Sequence, residues 1–354
     1  MDRPAEATRD ALRFTACVWG SYAVAELADV PLAYMTPVFL VPLLQLPQPL
    51  PLGFSLRLLA FAFAVFFGGA FAFLSLGALP LLSLAVQAVC LGLVFWYGAK
   101  GGNGLFVLIA LIALLLVPLL VQLSGRQGAD LALVMIGHLG AALALARLAW
   151  AVLPTGRIPV APPTPPLPVE RLARVIGLVL AVLPLIVWLQ RFAAPYPLLP
   201  VFVAVLLQKL TAISTETEGR KVIYRHILGK GLELAAASAL GGLAALATYR
   251  LLTLAPSWPL LLMIALLVIA TCAGFIWSGR SWGSFAGSTC SAYVILIGAA
   301  LAGVESEVDA QLESRLWQLT CAVIYVFLST GLVIRLALGL HLRHHKLQPA
   351  SSDD

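Results

Sequence analysis

Long apolar segments separated by brief polar interruptions run the length of the chain and predict membrane-spanning helices. Apolar runs of roughly 17 to 25 residues are long enough to cross about 30 Å of hydrocarbon. The predicted crossings are 11–29, 32–46, 56–76, 79–97, 104–123, 130–153, 171–190, 197–212, 231–252, 258–277, 283–303 and 314–340. Each must be helical, because lipid offers backbone amides no partner and the runs lack the alternation of an outer-membrane barrel. The pattern therefore predicts an all-α integral membrane protein with about twelve transmembrane helices.

Composition supports this prediction and excludes a water-soluble domain. Hydrophobic residues make up 61% and charged residues 11% of the 354 positions, and the mean hydropathy is +0.99. The sequence contains no P-loop, and no paired acids, histidine cluster or activated nucleophile lies at membrane depth. We therefore expect neither enzymatic activity nor a cofactor.

The distribution of basic residues predicts that both termini lie in the cytoplasm. With that orientation, 18 of the 22 Lys and Arg residues lie on the cytoplasmic side. Cytoplasmic basic loops are sufficient to explain the net charge of +6, so no nucleic-acid partner is implied. The expected partner is the lipid bilayer.

A proline-rich segment divides the chain into two similar halves. Residues 154–168 include seven prolines, and we interpret 154–170 as a cytoplasmic linker between two six-helix repeats, 1–153 and 171–340, with a cytoplasmic tail at 341–354. The segment Pro37–Gln45 matches Pro200–Gln208 at six of nine positions. Because six is an even number of crossings, both halves run in the same direction. We therefore expect a parallel six-plus-six repeat about an axis near the membrane normal.

The repeated Pro-Val-Phe segment predicts an interrupted second helix in each half. Proline removes an amide donor, so freed carbonyls at membrane depth must be buried in protein or face a wet cavity. Interrupted helices at matching places in two halves point to a transport pathway. The alternative is that the prolines only kink helices for packing. Gln45 and Gln208, at the ends of these segments, are candidate cargo-binding residues or interhelical contacts.

Taken together, these features resemble the fusaric-acid-resistance-like, or aromatic acid exporter, family of bacterial inner-membrane proteins. The resemblance rests on Arg9 and Arg13 in the first helix, the Pro-Val-Phe-type second helix, and the duplicated six-helix half. It covers nearly the whole chain, which is similar to compact members without large cytoplasmic domains. The resemblance implies an inner-membrane location, proton-driven efflux of small, anionic aromatic carboxylic acids or related compounds, and a possible periplasmic adaptor protein.

The eleventh predicted helix carries a polar stripe. Ser284, Gly287, Ser288 and Ser291 follow i, i+3, i+4, i+7 spacing and share one face. Their hydroxyls suit a carboxylate, and the aromatic side chains of Trp277 and Tyr293 suit a ring. The alternative is that small and hydroxylated residues let these helices pack closely.

Few ionisable groups lie inside the predicted crossings, and each is a functional candidate. His138 is the deepest and Glu26 lies near the outer end of the first helix, so both are candidates for proton coupling. Arg57 could attract anionic cargo at the cytoplasmic side. The alternatives are a packing hydrogen bond for His138, an interfacial charge for Glu26 and positive-inside anchoring for Arg57. Residues 211–230 are expected to form a solvated cytoplasmic loop with some helical order.

Three functions remain open from the sequence. A secondary-active exporter is favoured by the repeat, the interrupted helices and the family resemblance. An anion channel on the same scaffold would need fewer protonatable groups, and a non-transporting membrane scaffold subunit would need none.

Overall fold

A computed structural model of the chain is all-helical over the residues it describes. These are 3–77, 79–124, 126–154, 168–192, 220–279 and 282–301, with positions 317, 318, 320, 321, 324, 325, 328 and 329. The helices are α1 (Arg3–Leu27), α2 (Met35–Leu44), α3 (Leu52–Leu76), α4 (Pro80–Ala99), α5 (Gly104–Ser124), α6 (Arg126–Val152), α7 (Pro168–Phe192), α8 (Arg220–Leu254), α9 (Trp258–Ile276) and α10 (Gly283–Leu301). No strand occurs within these ranges.

A helix lies at each of ten predicted crossings. The predicted crossing 197–212 falls outside the described residues, and 314–340 is described only at the scattered positions named above. Helix α8 begins at Arg220, within the stretch 211–230 that was expected to be a loop with some helical order. Helix α7 begins at Pro168. Proline fits a first helical turn because that turn has no use for its missing amide hydrogen.

Several helices have the dimensions of membrane spans. Five are long and apolar enough to cross a bilayer, within 52–76, 80–99, 130–152, 236–254 and 258–276. On α3, the side chains of Phe63, Phe67 and Phe71 recur once per turn and are exposed. An exposed apolar stripe of this kind suits lipid far better than water. These features identify the chain as a helical membrane protein.

Helix α2 is too short to cross a membrane. Ten residues of α-helix span about 15 Å, and α2 contains Pro42 in its interior. The turn before it holds two non-glycine residues in the left-handed region, Asp29 at φ 50° and Leu32 at φ 57°. For a leucine this backbone costs roughly 1–2 kcal/mol, which the surrounding structure must offset.

The described helices group into two compact units, each of which takes helices from both sequence halves. The first unit comprises 1–63, 130–161 and 232–320, and the second comprises 64–129, 162–231 and 321–354. In the first unit, α1 and α10 each pack along both α9 and α2. In the second unit α4 packs along α7 and α5. The contacts therefore do not separate the chain at the proline-rich linker.

Candidate functional site

His138 of α6 uses both ring nitrogens to contact the start of the short helix α2 and the turn before it. Its Nε2 lies 2.8 Å from the carbonyl oxygen of Pro31, and its Nδ1 lies 2.7 Å from Oγ1 of Thr36. A carbonyl can only accept, so the proton of a neutral ring must be on Nε2. The Nδ1 lone pair then accepts from the Thr36 hydroxyl. His138 and Thr36 are both buried, at 6% and 5% exposure.

A cavity of about 600 Å³ opens beside this pair, between α1, the turn before α2 and α6. Its volume is within the range of small-molecule sites, roughly 300–1,000 Å³. Besides His138 and Thr36, its lining is formed mainly by small and apolar side chains, including Gly20, Ala25 and Ala141. The cavity therefore combines an apolar wall with one polar corner.

The polar corner coincides with the strained turn. Leu32, at φ 57°, directly follows Pro31, whose carbonyl accepts from His138. A strained backbone conformation is kept where neighbouring contacts hold it in place, and such conformations often occur at binding sites. The hydrogen bond from His138 is one such contact.

The polar stripe of α10 forms the seam with α2. Tyr34 and Gln45 flank α2, and their side chains lie directly against Gly298 and Gly287 of α10. Gly287 precedes Gly298 by three helical turns, so α2 runs antiparallel along this face. Sequence reasoning treated Gln45 and the stripe as separate candidates, and the structure brings them together. A side chain at Gly287 would collide with Gln45, which makes close packing one role of this face.

The hydroxyls of the stripe remain partly accessible. Ser288 and Ser291 are half-buried, and exposed Ser284 donates from Oγ to Oε1 of Glu233 at 2.9 Å. Glu233, on α8, thereby joins the stripe. Gln45 is exposed apart from its contact with α10.

The two aromatic candidates lie elsewhere. Tyr293 is two residues beyond Ser291 and thus on the opposite face of α10. It is fully buried, with its hydroxyl 3.3 Å from Oγ1 of Thr248. Trp277, at the end of α9, packs edge-on against Phe14 with ring centroids 5.3 Å apart. Tyr293 therefore does not share the face of the stripe, and Trp277 contacts Phe14 of α1.

The remaining candidates are less enclosed. Arg57 is exposed on the second turn of α3, and Glu26 is half-buried one turn after the buried Tyr22. Neither lines the cavity beside His138. Gln208 lies outside the described residues.

Sequence reasoning missed the surroundings of Arg13. This guanidinium is 2% exposed, donates from Nη2 to Oδ1 of Asp10 at 2.7 Å and from Nη1 to the Leu153 carbonyl at 3.0 Å. Its Cζ lies 3.6 Å from the ring centroid of Trp150. The spacing of Asp10 and Arg13 hinted at an intrahelical ion pair. Nothing in the sequence indicated that this pair joins α1 to the end of α6.

A second missed cluster lies in the other unit. Gln87 of α4 donates from Nε2 to the Leu114 carbonyl at 2.5 Å, and Gln190 of α7 donates to Oε1 of Gln87 at 3.0 Å. The Leu114 carbonyl is the one that Pro118 cannot satisfy. The glutamines thus complete the hydrogen bonding of a proline-interrupted helix in the membrane.

Two cysteines also meet across helices. The side chains of Cys272 on α9 and Cys290 on α10 are in hydrogen-bond contact, although the sequence separates them. Among the described residues, no group of three or more His, Cys, Asp and Glu side chains could hold a metal ion.

No protein-family model matches this chain, and no curated protein or solved structure matches it. The resemblance to the aromatic acid exporter family therefore stays a prediction from the sequence.

Proposed function

We propose that this protein is a secondary-active, proton-coupled exporter of small aromatic carboxylic acids or related compounds. The observation that carries the proposal is the attachment of His138 to the start of an interrupted helix beside a cavity of about 600 Å³. An ionisable group at membrane depth is a functional candidate, and here it lies where helix breaks favour a transport pathway.

The cavity suits a cargo with an apolar body and one polar end. A ring would contact the side chains from α1 and α6, such as Val24 and Leu145, and a carboxylate would approach Thr36 and His138. Burial of the ring supplies most of the affinity, roughly 25 cal/mol for each Å² of apolar surface removed from water. The polar corner supplies orientation and specificity.

The helix contacts support a repeat of two six-helix halves. In such a repeat, α1 and α7 are the first helices of the two halves, and α4 and α9 are the fourth helices. The first unit pairs a first helix with a fourth helix of the other half, α1 with α9. The second unit does the same, with α7 and α4. The pairing of α9 with α10 likewise corresponds to that of α4 with α5. We propose on this basis that two six-helix halves exchange helices, so that each unit contains helices of both.

The proposed location is the bacterial inner membrane, with both termini in the cytoplasm. Fusion of a fluorescent protein to either terminus should give fluorescent cells, because that reporter folds in the cytoplasm. Alkaline phosphatase fused after residue 312 should be active, because it requires the periplasm. The reverse pattern would overturn the orientation.

Transport can be tested with the purified full-length chain in proteoliposomes. We expect counterflow of labelled benzoate above the level in protein-free liposomes, and a change in its rate when a pH gradient is imposed. His138→Gln should reduce the rate roughly tenfold or more, because one of two buried hydrogen bonds is weakened. Gly274→Ala provides the matched control, since a methyl group at Gly274 meets nothing within 4 Å.

Two results would contradict the proposal. Benzoate flux that is equal with and without protein would exclude transport of this class. A benzoate flux that does not depend on the pH gradient and is unchanged in His138→Gln would instead indicate a channel.

A further inference from the structure

The hydrogen bonds at His138 imply a particular relation between proton binding and anion binding. In the neutral ring, Nδ1 accepts the hydroxyl proton of Thr36, so that proton is not available to a ligand. When a proton from solvent adds to Nδ1, the ring becomes a donor at both nitrogens. Pro31 still accepts from Nε2, and Thr36 must now accept from Nδ1 and turn its own hydrogen away.

We propose that protonation of His138 switches Thr36 from donating to the imidazole to donating into the cavity, so that a small carboxylate and one proton bind together. This inference rests on the proposed function and specifies its coupling. The carboxylate oxygen accepts from the Thr36 hydroxyl, which itself accepts from the imidazolium. A charge-assisted chain of this kind is stronger than its separate neutral hydrogen bonds.

The surroundings leave few competitors for this role. Imidazole is the side-chain group that ordinarily changes charge between about pH 5 and 8. Of the other residues lining the cavity, α1 contributes Cys17 as a titratable group, and the lining from the turn, α2 and the rest of α6 carries no charged side chain. Glu26 and Asp29 belong to the same end of α1 and to the turn, but they lie outside the lining. Protonated His138 would therefore supply the positive charge that balances a carboxylate in this cavity.

Linkage makes the effect reciprocal. If protonation strengthens carboxylate binding, the bound carboxylate must raise the proton affinity of His138 by the same factor. The protein would then take up a proton for each anion bound, and anion and proton would move together. Cytoplasmic accumulation of the acid would provide the outward driving force. Export driven by proton entry would require the opposite sign, with release of a proton on binding.

The test is calorimetric titration of the detergent-purified full chain with benzoate. Titrations at one pH in buffers of different ionisation enthalpy give the number of protons exchanged for each anion bound. We expect uptake of up to one proton and an affinity that falls up to tenfold per pH unit at alkaline pH, as one coupled proton requires. Benzyl alcohol, which has the ring without the charge, should bind without proton uptake.

Three variants separate the switch from general damage. His138→Gln should abolish proton uptake and the pH dependence. Thr36→Val keeps the shape without the hydroxyl and should weaken benzoate binding, whereas Thr36→Ser should restore it. Gly274→Ala is the control, because Gly274 lies outside the cavity lining and a methyl group there meets nothing within 4 Å.

The possible results distinguish this inference from the proposed function. Proton release on binding, uptake that persists in His138→Gln, or failure of the wild-type chain to bind benzoate would overturn the switch. Transport of benzoate together with proton release, or with uptake that persists in His138→Gln, would leave the exporter proposal standing. Binding with His138-dependent proton uptake but without transport would support the switch and overturn the exporter.

Discussion

Gln87 donates a hydrogen bond to the main-chain carbonyl of Leu114, the carbonyl that a proline at position 118 leaves without its helical amide partner. The side chain of one helix thereby repairs the backbone of another. Such repair is what makes an interior proline tolerable in a membrane helix.

This relationship predicts a specific coupling between two substitutions. Gln87→Leu should lower the free energy of unfolding by about 1–3 kcal/mol, because a buried carbonyl loses its donor. Pro118→Ala restores an amide at position 118, so the same substitution should cost less in that background. Thermal unfolding of the four proteins in detergent measures the coupling, expected at about 0.5–3 kcal/mol. If the free-energy costs of the two substitutions are strictly additive, Gln87 does not compensate for the amide that is missing at Pro118.

Close packing of α8 against α10 gives a second prediction. A methyl group at Gly241 would lie 2.6 Å from the Thr289 carbonyl oxygen and 2.9 Å from the Tyr293 amide nitrogen. Backbone atoms cannot move aside cheaply, so Gly241→Ala should destabilise the protein by roughly 1–3 kcal/mol. Gly274→Ala, in open space on α9, should be neutral or stabilising by about 0.5–1 kcal/mol. Equal unfolding temperatures for the two variants would contradict the packing of α8 on α10.

The buried ion pair of α1 gives a third prediction. Arg13→Met removes the cation that faces Asp10 and should cost about 3–5 kcal/mol, because a buried carboxylate is left without its counter-charge. Adding Asp10→Asn should recover a substantial part of this loss. Unfolding curves of the single and double variants give the comparison. A double variant less stable than Arg13→Met would argue against the ion pair.

The serine stripe gives a fourth. Replacing Ser284, Ser288 and Ser291 by alanine keeps the small volumes that the α2 seam requires, so insertion and thermal stability should change little. If the half-buried hydroxyls contact cargo, benzoate counterflow should fall several-fold. Normal counterflow by the correctly inserted triple variant would assign the stripe to packing alone.

The sequence was most informative where one physical requirement acts along the chain. Hydrophobic length located the long described helices, because a bilayer imposes that length on each spanning helix separately. Proline content also singled out the segment of α2, a ten-residue helix that contains Pro42. The start of α8 was predicted only as a loop with some helical order, because charged residues such as Arg220 and Lys221 precede the apolar part of the helix.

Side-chain partnerships were much harder to predict. His138 could be singled out as the deepest ionisable group, but its partners Pro31 and Thr36 lie more than one hundred positions away and have no distinctive pattern. Arg13 and Leu153 are joined in the same unpredictable way. Internal similarity predicts that two halves repeat, but it does not predict which copy of a helix packs against which.

The grouping of helices has a consequence for synthesis of the chain. The first compact unit needs residues 232–320 to join residues 1–63, so the nascent chain completes neither unit when translation reaches the proline-rich linker. The first helices must therefore remain in the membrane without their packing partners until the later helices have been synthesised. Two halves expressed from separate genes should therefore be degraded when made alone and rescued when made together.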